Sequence, residues 1–509
     1  MTVNTTDGLH HDEAAAPTPD RAEHGRRRLP GTAFVGRFFW LWPALLMLAL
    51  GVRGAQRPQL WRDELATWSA AARSTGELLD MLRHVDAVSG SYYLLMHGWI
   101  SLFGDSPAVL RLPSALAMTG AAVFVTLAAR KLFDTRTAVV AGLLFAVIPS
   151  MSRYAQEVRS YAFAVLAVSA ATWLLLRALE RPTVLRWLPY SVAVAFAGLF
   201  HMVALAVLIG HLVVVAMRRP RRERKLLIGF PAAVAVGLLP VLPVVVLGRQ
   251  QVGRQISWLT TPGLSSFGSL WTGLFGSVLV AVCIAALAGM PAAWPAGRRR
   301  AFEIGVIGVL PIIAVWVISQ GKTSYFLDRY ELFAVPALAV LAAAGLAALR
   351  PRALTAVGLA VVAGLGVPDQ QNLRTSTAHE WSNEKAAARI VATGYRPGDG
   401  IVPVRGSSEY MMLAFALDYY LPDSVRPKDV FVARTPVEND DLYSTPCADP
   451  AACLTGVDRI WVVTYGSVDD PFKDLPEAET RALSAQYRKS TVQHVQGLTV
   501  TLMERPHPS

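Results

Sequence analysis

A polytopic α-helical membrane bundle followed by a small α/β domain is the architecture this sequence predicts. Three observations carry it: apolar residues gathered in blocks long enough to cross a bilayer, basic residues confined to the breaks between blocks, and a change of pattern after residue 368. Hydrophobic residues make up 53% of the 509 and charged residues only 17%, against about 45–50% and about 25% in soluble domains. That balance excludes an ordinary soluble enzyme. The formal charge of +11 does not signal nucleic acid, because the cations sit in short loops such as Arg26 to Arg28, Arg130-Lys131, Arg177 to Arg186, Arg218 to Lys225, Arg298 to Arg300 and Arg350 to Arg352. Basic loops of this kind mark the cytoplasmic side of a membrane protein.

Placing each basic loop inside gives about eleven spans, with the N-terminus cytoplasmic and the C-terminus outside. They fall at 38–54, 108–129, 137–152, 160–177, 187–201, 203–217, 226–247, 272–293, 301–319, 329–349 and 353–368. A bacterial inner membrane is the expected location. Residues 1–37 are polar, mixed in charge and without a cleavable signal pattern, and read as a disordered cytoplasmic tail. Within the transmembrane domain 38–368, the external loop 55–107 is long. Leu65, Trp68, Ala72, Leu79 and Leu82 recur there at near-helical spacing, and Tyr93, Met96, His97 and Ile100 predict a second interfacial helix. In the segment 369–509, strand-like runs at 400–404, 460–463 and 498–502 follow helix-like ones at 380–393 and 408–420, which predicts an extracytoplasmic α/β domain. Cys447 and Cys453 lie in that segment, where a disulfide is plausible, whereas Cys283 falls inside an apolar span.

Three constellations are able to carry chemistry. In Trp61-Arg62-Asp63-Glu64, two carboxylates stand just outside the first span. A carboxylate at the edge of hydrocarbon is a functional candidate by default, and adjacent residues point in different directions, so Asp63 is the candidate base and Glu64 its supporting or metal-holding neighbour. The competing reading is a surface pair with Arg62. In the stretch from Arg153 to Tyr161, a continuous helix would put Arg153, Glu157 and Tyr161 on one face, and the competing reading is a self-satisfied Arg153–Glu157 pair. Before the tenth span, Lys322, Asp328, Arg329 and Tyr330 offer cations suited to a lipid phosphate, or else form an ordinary polar loop. His97 and His201 each read more simply as hydrogen-bonded helix-end residues, and Trp258 as an interfacial anchor. Asp63, Glu64 and Glu157 have the oxygens to hold Mg²⁺ or Mn²⁺, though no spacing requires a metal.

At these residues the chain resembles the GT-C membrane glycosyltransferases, in particular the family-39-like group of protein O-mannosyltransferases and lipid A aminoarabinose transferases. The motifs are Trp61-Arg62-Asp63-Glu64, Tyr92 to His97, Arg153 to Tyr161, Phe200-His201, Ser257 to Leu259, and Asp328-Arg329-Tyr330 ahead of Pro336. The resemblance spans about residues 38–350. It implies an inverting transferase moving a mannose-like or other sugar from a polyprenyl-phosphate donor, on the outer face of the bilayer, to a lipid, polysaccharide or protein acceptor. Asp63 matches the first-loop acid that deprotonates or orients the acceptor, and Glu157 matches the second-loop acidic position, often Asp in relatives. Arg159 and Tyr161 would lie beside the donor phosphate, and Tyr93, His97, Lys322 and Arg329 complete the candidates for donor binding. Gly90-Ser91 precedes the tyrosines where many relatives have a Pro-Pro stretch. The rival classes are a transporter or lipid flippase, which requires charges near the midplane, and a membrane anchor for the 369–509 domain, which requires only one span.

Overall fold

The computed structural model describes residues 38–218, 224–293 and 297–506, so the expected 1–37 tail lies outside the described residues. Four described helices are long and apolar enough to cross a membrane: Pro107–Leu132, Tyr161–Glu180, Lys225–Gln255 and Arg298–Ile318. Two further stretches are bent pairs, Thr135–Val147 with Pro149–Ala155 at 65° and Ser266–Phe275 with Val278–Gly289 at 97°. Both bends have local causes. Ile148 precedes a proline and is extended (φ −61°, ψ 122°), and Gly276 takes a left-handed φ of 67° that ends its helix. Shorter apolar helices cover Leu41–Val52, Val184–Phe200, Met202–Arg218, Leu332–Ala348 and Ala353–Leu365.

Small residues let these helices close on one another. Ala121, Ala122, Ala138, Ala141, Ala162 and Ala339 are all buried at the crossings. At Gly142 a Cβ would fall 2.1 Å from the Thr126 hydroxyl and 2.6 Å from Pro43 Cβ, so only glycine permits the three-helix contact made there.

The first loop is more deeply buried than an interfacial amphipath. Its first expected helix divides into Arg62–Ala71 and Thr75–His84. Ser74 restarts the chain by a capping box, its hydroxyl accepting from the Glu77 N–H while the Glu77 carboxylate accepts from the Ser74 N–H. The following helix, Gly90–Phe103, buries Tyr92, Tyr93 and Met96. A correction concerns 153–161, which is not one helix: Pro149–Ala155 ends, residues 156–160 are irregular, and Tyr161–Glu180 begins. Side chains from elsewhere satisfy this stretch in place of helical bonds. The Ser114 hydroxyl donates to the Glu157 carbonyl at 2.7 Å and Val158 N–H donates to Glu64 at 2.9 Å, while Gln156 donates to the Leu50 and Arg53 carbonyls.

Residues 400–504 hold a five-stranded sheet in the order β2-β1-β5-β7-β6, with β1 at Gly400–Pro403, β2 at Lys428–Asp429, β5 at Arg459–Tyr465, β6 at Arg488–Val495 and β7 at Leu498–Glu504. Strand β1 is parallel to β2 and β5, and β7 is antiparallel to β5 and β6. All four residues of β1 are buried, as fits a parallel strand covered on both faces. The helices Glu384–Gly394 and Leu413–Tyr420 cover one face through Ala387, Val391, Leu413 and Leu417. The helix Glu477–Gln486 covers the other through Leu483. A two-stranded ribbon pairs β3 (Val432–Arg434) with β4 (Thr445–Pro446), and beside it Cys447 is bonded to Cys453.

Candidate active site

Glu64 is completely buried and is spent on structure. Arg111, equally buried in the Pro107–Leu132 helix, grips it with two N–H groups, Nε to Oε1 at 3.0 Å and Nη2 to Oε2 at 2.6 Å. The rest of the guanidinium donates to the carbonyls of Ala55, Pro58 and Gln59. Glu64 also accepts from Val158 N–H, and the Trp61 N–H lies 3.4 Å from its other oxygen, which closes the start of the Arg62–Ala71 helix. Burial alone raises this carboxyl, but the opposing Arg111 guanidinium, with His379 3.8 Å away, outweighs it and holds the group at about 2. The first loop, the Pro107–Leu132 helix and the 156–160 segment are thereby tied at one point.

Asp63, one residue earlier, points the other way. It keeps about a quarter of its side chain exposed (24%), with Arg329 Nη2 and Arg62 Nε each 4.0 Å from its oxygens. Arg329 stands within cation–π range of Trp61 (5.9 Å), Trp258 (5.6 Å) and Tyr330 (5.8 Å), so Trp258 serves this guanidinium as well as any interface. Glu157 is only 1% exposed, and both of its carboxylate oxygens lack a hydrogen-bond partner. Arg153 Nε approaches only to 3.9 Å. Burial pushes the Glu157 carboxyl up to about 7; Arg153 pulls against this, and Glu64 and Asp63 add to it. The Nε atoms of Arg153 and Arg329 and the indole N–H of Trp61 are likewise buried without partners. Buried polar atoms are paired in the great majority of cases, so this concentration of buried groups without hydrogen bonds makes the region the candidate site.

Beside the cluster lies a cavity of about 480 Å³ with mainly apolar walls, including Phe200, Met202, Val245, Val252, Val315 and Ile318, and with Arg159 and Arg249 as its guanidinium groups. Tyr161, His201 and Tyr330 meet along one side, His201 and Tyr330 at 5.0 Å between ring centres. Arg159 donates to Tyr93 Oη at 3.3 Å and to the Thr67 hydroxyl at 3.4 Å. Tyr93 in turn donates to Asp86, whose other oxygen accepts from Gln255 at 2.9 Å. Asp86 sits at a left-handed φ of 58°, a conformation asparagine and aspartate tolerate better than most residues.

Other expected residues lie elsewhere. His97 bridges helices, with Nδ1 3.0 Å from the Ala71 carbonyl and Nε2 3.1 Å from the Thr75 hydroxyl. Lys322 is exposed and does not line the cavity. Asp63, Glu64 and Glu157 do not make the oxygen cage considered for Mg²⁺ or Mn²⁺, because Arg111 and backbone N–H groups occupy Glu64, and no group of three or more His, Cys, Asp or Glu suited to a metal occurs among the described residues. Sequence reasoning missed Arg111, Asp86, Arg249 and Gln255. A charge inside an apolar block was the signal for Arg111; Asp86 and Gln255 meet across 169 positions, too far for any local pattern, and Arg249 is brought to the cavity wall by the packed bundle.

Bundle, buried acidic loop and sheet appendage together have the fold of the solved structures of ArnT. The chain superposes on ArnT from Cupriavidus metallidurans in the apo state with a TM-score of 0.63 at 16% identity, covering 93% of this chain and 98% of that one. With the same protein bound to undecaprenyl phosphate the TM-score is 0.62 at 17% identity, with coverages of 92% and 98%. Residues 91–247 match the family model described as dolichyl-phosphate-mannose-protein mannosyltransferase. Among curated proteins no sequence matches the chain.

Proposed function

We propose that this protein is an inverting glycosyltransferase that moves a sugar from a polyprenyl-phosphate donor to an acceptor hydroxyl at the outer face of a bacterial inner membrane. The observation that carries the reading is the set of buried polar atoms without hydrogen bonds around Glu157, next to the half-open Asp63 and beside an apolar cavity with two guanidinium groups. An apolar cavity accepts a prenyl chain, and Arg159 with Arg249 suits its phosphate. The matching ArnT structure with undecaprenyl phosphate supports the same donor class.

In the reaction the acceptor oxygen bonds to the anomeric carbon as the bond from that carbon to the phosphate oxygen breaks. Asp63 takes the hydroxyl proton, and the departing phosphate gathers negative charge beside Arg159. Arg329 orients Asp63, and Tyr161 and Tyr93 place the phosphate-side guanidinium. Glu157, facing Arg153, fits stabilisation of the positive charge that develops on the sugar ring. Glu64 holds the loop in place and does not react.

The topology that goes with this reading has about eleven crossings, one for each long helix, bent pair and shorter apolar helix, with the N-terminus cytoplasmic and the 369–509 domain outside. A transporter is not favoured, since the charged clusters at 61–64, 153–159 and 328–331 lie at the ends of apolar helices and not within them. Membranes carrying Asp63→Ala, supplied with labelled polyprenyl-phosphate mannose, arabinose or glucose, are expected to accumulate the protein normally and transfer no label. Turnover at the wild-type rate would remove Asp63 from its role, and no wild-type transfer from any polyprenyl-phosphate sugar would refute the donor class.

A further inference from the structure

The sheet domain turns one particular end toward Asp63. Strands β1 and β5 are parallel neighbours, but the chain leaving β1 crosses to the helix Leu413–Tyr420 on one face, and the chain leaving β5 crosses to the helix Glu477–Gln486 on the other. Where adjacent parallel strands send their connections to opposite faces, a crevice opens beyond their carboxyl ends, and open α/β sheets bind ligands there. In this chain that end lies against the first loop. Arg62 Nη1 donates to the sulfur of Met411 at 3.2 Å, and the same guanidinium lies over the Tyr410 ring at 5.3 Å; both residues belong to the connection from β1. Tyr465, the last residue of β5, donates to the Met411 carbonyl at 3.5 Å.

We infer that this crevice is the acceptor site and that the acceptor is a saccharide chain, with one sugar ring on Trp381 and another on Tyr410. Its role as acceptor rests on the transferase reading; its binding of saccharide does not. Trp381 and Tyr410 are 51% and 55% exposed, yet neither is loose. The Trp381 carbonyl accepts from Gln496 at 3.1 Å, and its indole packs on Tyr465, 5.7 Å between ring centres, and on Gly497, where a Cβ would come within 2.8 Å of the ring. Tyr410 is backed by Arg62. Aromatic rings fixed in this way offer a large contact face at little cost in conformational entropy.

Polar groups accompany the rings. Glu380 Oε1 accepts from Trp381 N–H at 3.1 Å, which leaves Oε2 to accept from a ligand. Arg62 has Nη1 on Met411 and Nε 4.0 Å from Asp63, which leaves Nη2 to donate. Arg62 and Asp63 lie near enough to act electrostatically on Glu380, as do Glu380, Tyr410 and Arg62 on Tyr465, so these groups form one patch. A sugar matches that pattern, with a C–H face for an aromatic ring and a hydroxyl edge for a carboxylate or guanidinium. A peptide matches it less well. Strand β1 is paired with β2 and β5, and β5 with β1 and β7, so neither strand of the crevice has an open edge on which a peptide could extend the sheet. Asp63 adjoins the patch through Arg62, within reach of a hydroxyl on the terminal unit while the preceding units lie on the rings.

The test is saturation-transfer NMR on the purified full-length protein with mannotriose, maltotriose, arabinotriose and a threonine-containing peptide as probes. At least one trisaccharide is expected to bind, with saturation strongest at the C–H protons of its rings. Tyr410→Ala, a change at an exposed side chain, is expected to weaken that binding at least tenfold, and Tyr410→Phe to restore it because the ring face is kept. Trp381→Ala is expected to weaken it likewise. In the transfer assay, Tyr410→Ala is expected to raise the acceptor KM at least tenfold and to leave the donor KM unchanged. Preferred binding of the peptide, no binding of any trisaccharide, or unchanged trisaccharide affinity in Tyr410→Ala overturns the inference. Tyr410-dependent binding in a protein that transfers no label would leave this site standing and remove the transferase reading; label transfer with binding indifferent to Tyr410 would do the reverse.

Discussion

Replacing Glu157 with glutamine removes a buried charge that the protein holds without a hydrogen bond to either oxygen. The folded-state carboxyl lies at about 7 against an ordinary 4.5, because burial disfavours its ionised form. Below pH 4.5 the group is protonated in both folded and unfolded chains and costs nothing. As pH rises from 4.5 to 7 the unfolded chain ionises first, and the folded state loses stability until the native carboxyl ionises as well. A displacement of this size is worth roughly 3 kcal/mol, fully felt above pH 7. Glutamine keeps the shape and does not titrate. Its advantage over wild type should therefore grow by roughly 3 kcal/mol between pH 4.5 and pH 7. Unfolding in mixed detergent micelles, followed by tryptophan fluorescence at a series of pH values, measures that difference directly. Sugar transfer by the variant should fall by orders of magnitude, while wild-type transfer rises as pH passes through about 7. A stability difference that does not change with pH would show that the carboxyl is not held protonated by burial, and the reasoning would fail.

Three further outcomes are expected. Arg111→Met strands the buried Glu64 carboxylate and three backbone carbonyls, so it should lose about 3–5 kcal/mol in the same unfolding assay; an unchanged midpoint would show that the pair is not the clasp described. Lys322→Ala should leave transfer within twofold of wild type, because Lys322 is exposed and away from the cavity; a tenfold loss would return it to the donor site. A thiol titration of denatured protein should gain two groups on reduction, from Cys447 and Cys453; no gain would refute the bond.

The legible parts of this molecule are those written in one stretch of chain. Apolar block length located the long helices, and the 3.6 and 2 periodicities found Gly90–Phe103, β1, β5 and β7. Asp63, Glu157, Arg159 and Arg329 stood out because they are charges at the rims of apolar blocks, where charge needs a reason. Strand β6 was hidden because its residues are exposed apart from its last and show no clean alternation. The sequence divided Asp63, as candidate base, from Glu64, as its supporting or metal-holding neighbour, by their opposite directions; what holds Glu64 is Arg111, 47 positions away, which no local pattern shows. Likewise Gln251 donates to Leu82 and accepts from Ala87 across 169 and 164 positions. Such pairings are properties of the packed bundle, and no window of sequence contains both partners.

The clasp on the first loop also has an order in time. Gln59 donates to the Ser382 carbonyl and Leu60 N–H donates to Tyr420 Oη at 2.7 Å, partners 323 and 360 positions further along the chain. In a growing polypeptide Asp63 is therefore made long before the residues that brace its loop. The bracing of the loop is completed only by the final quarter of the chain, and a chain interrupted before residue 382 carries Asp63 without these partners.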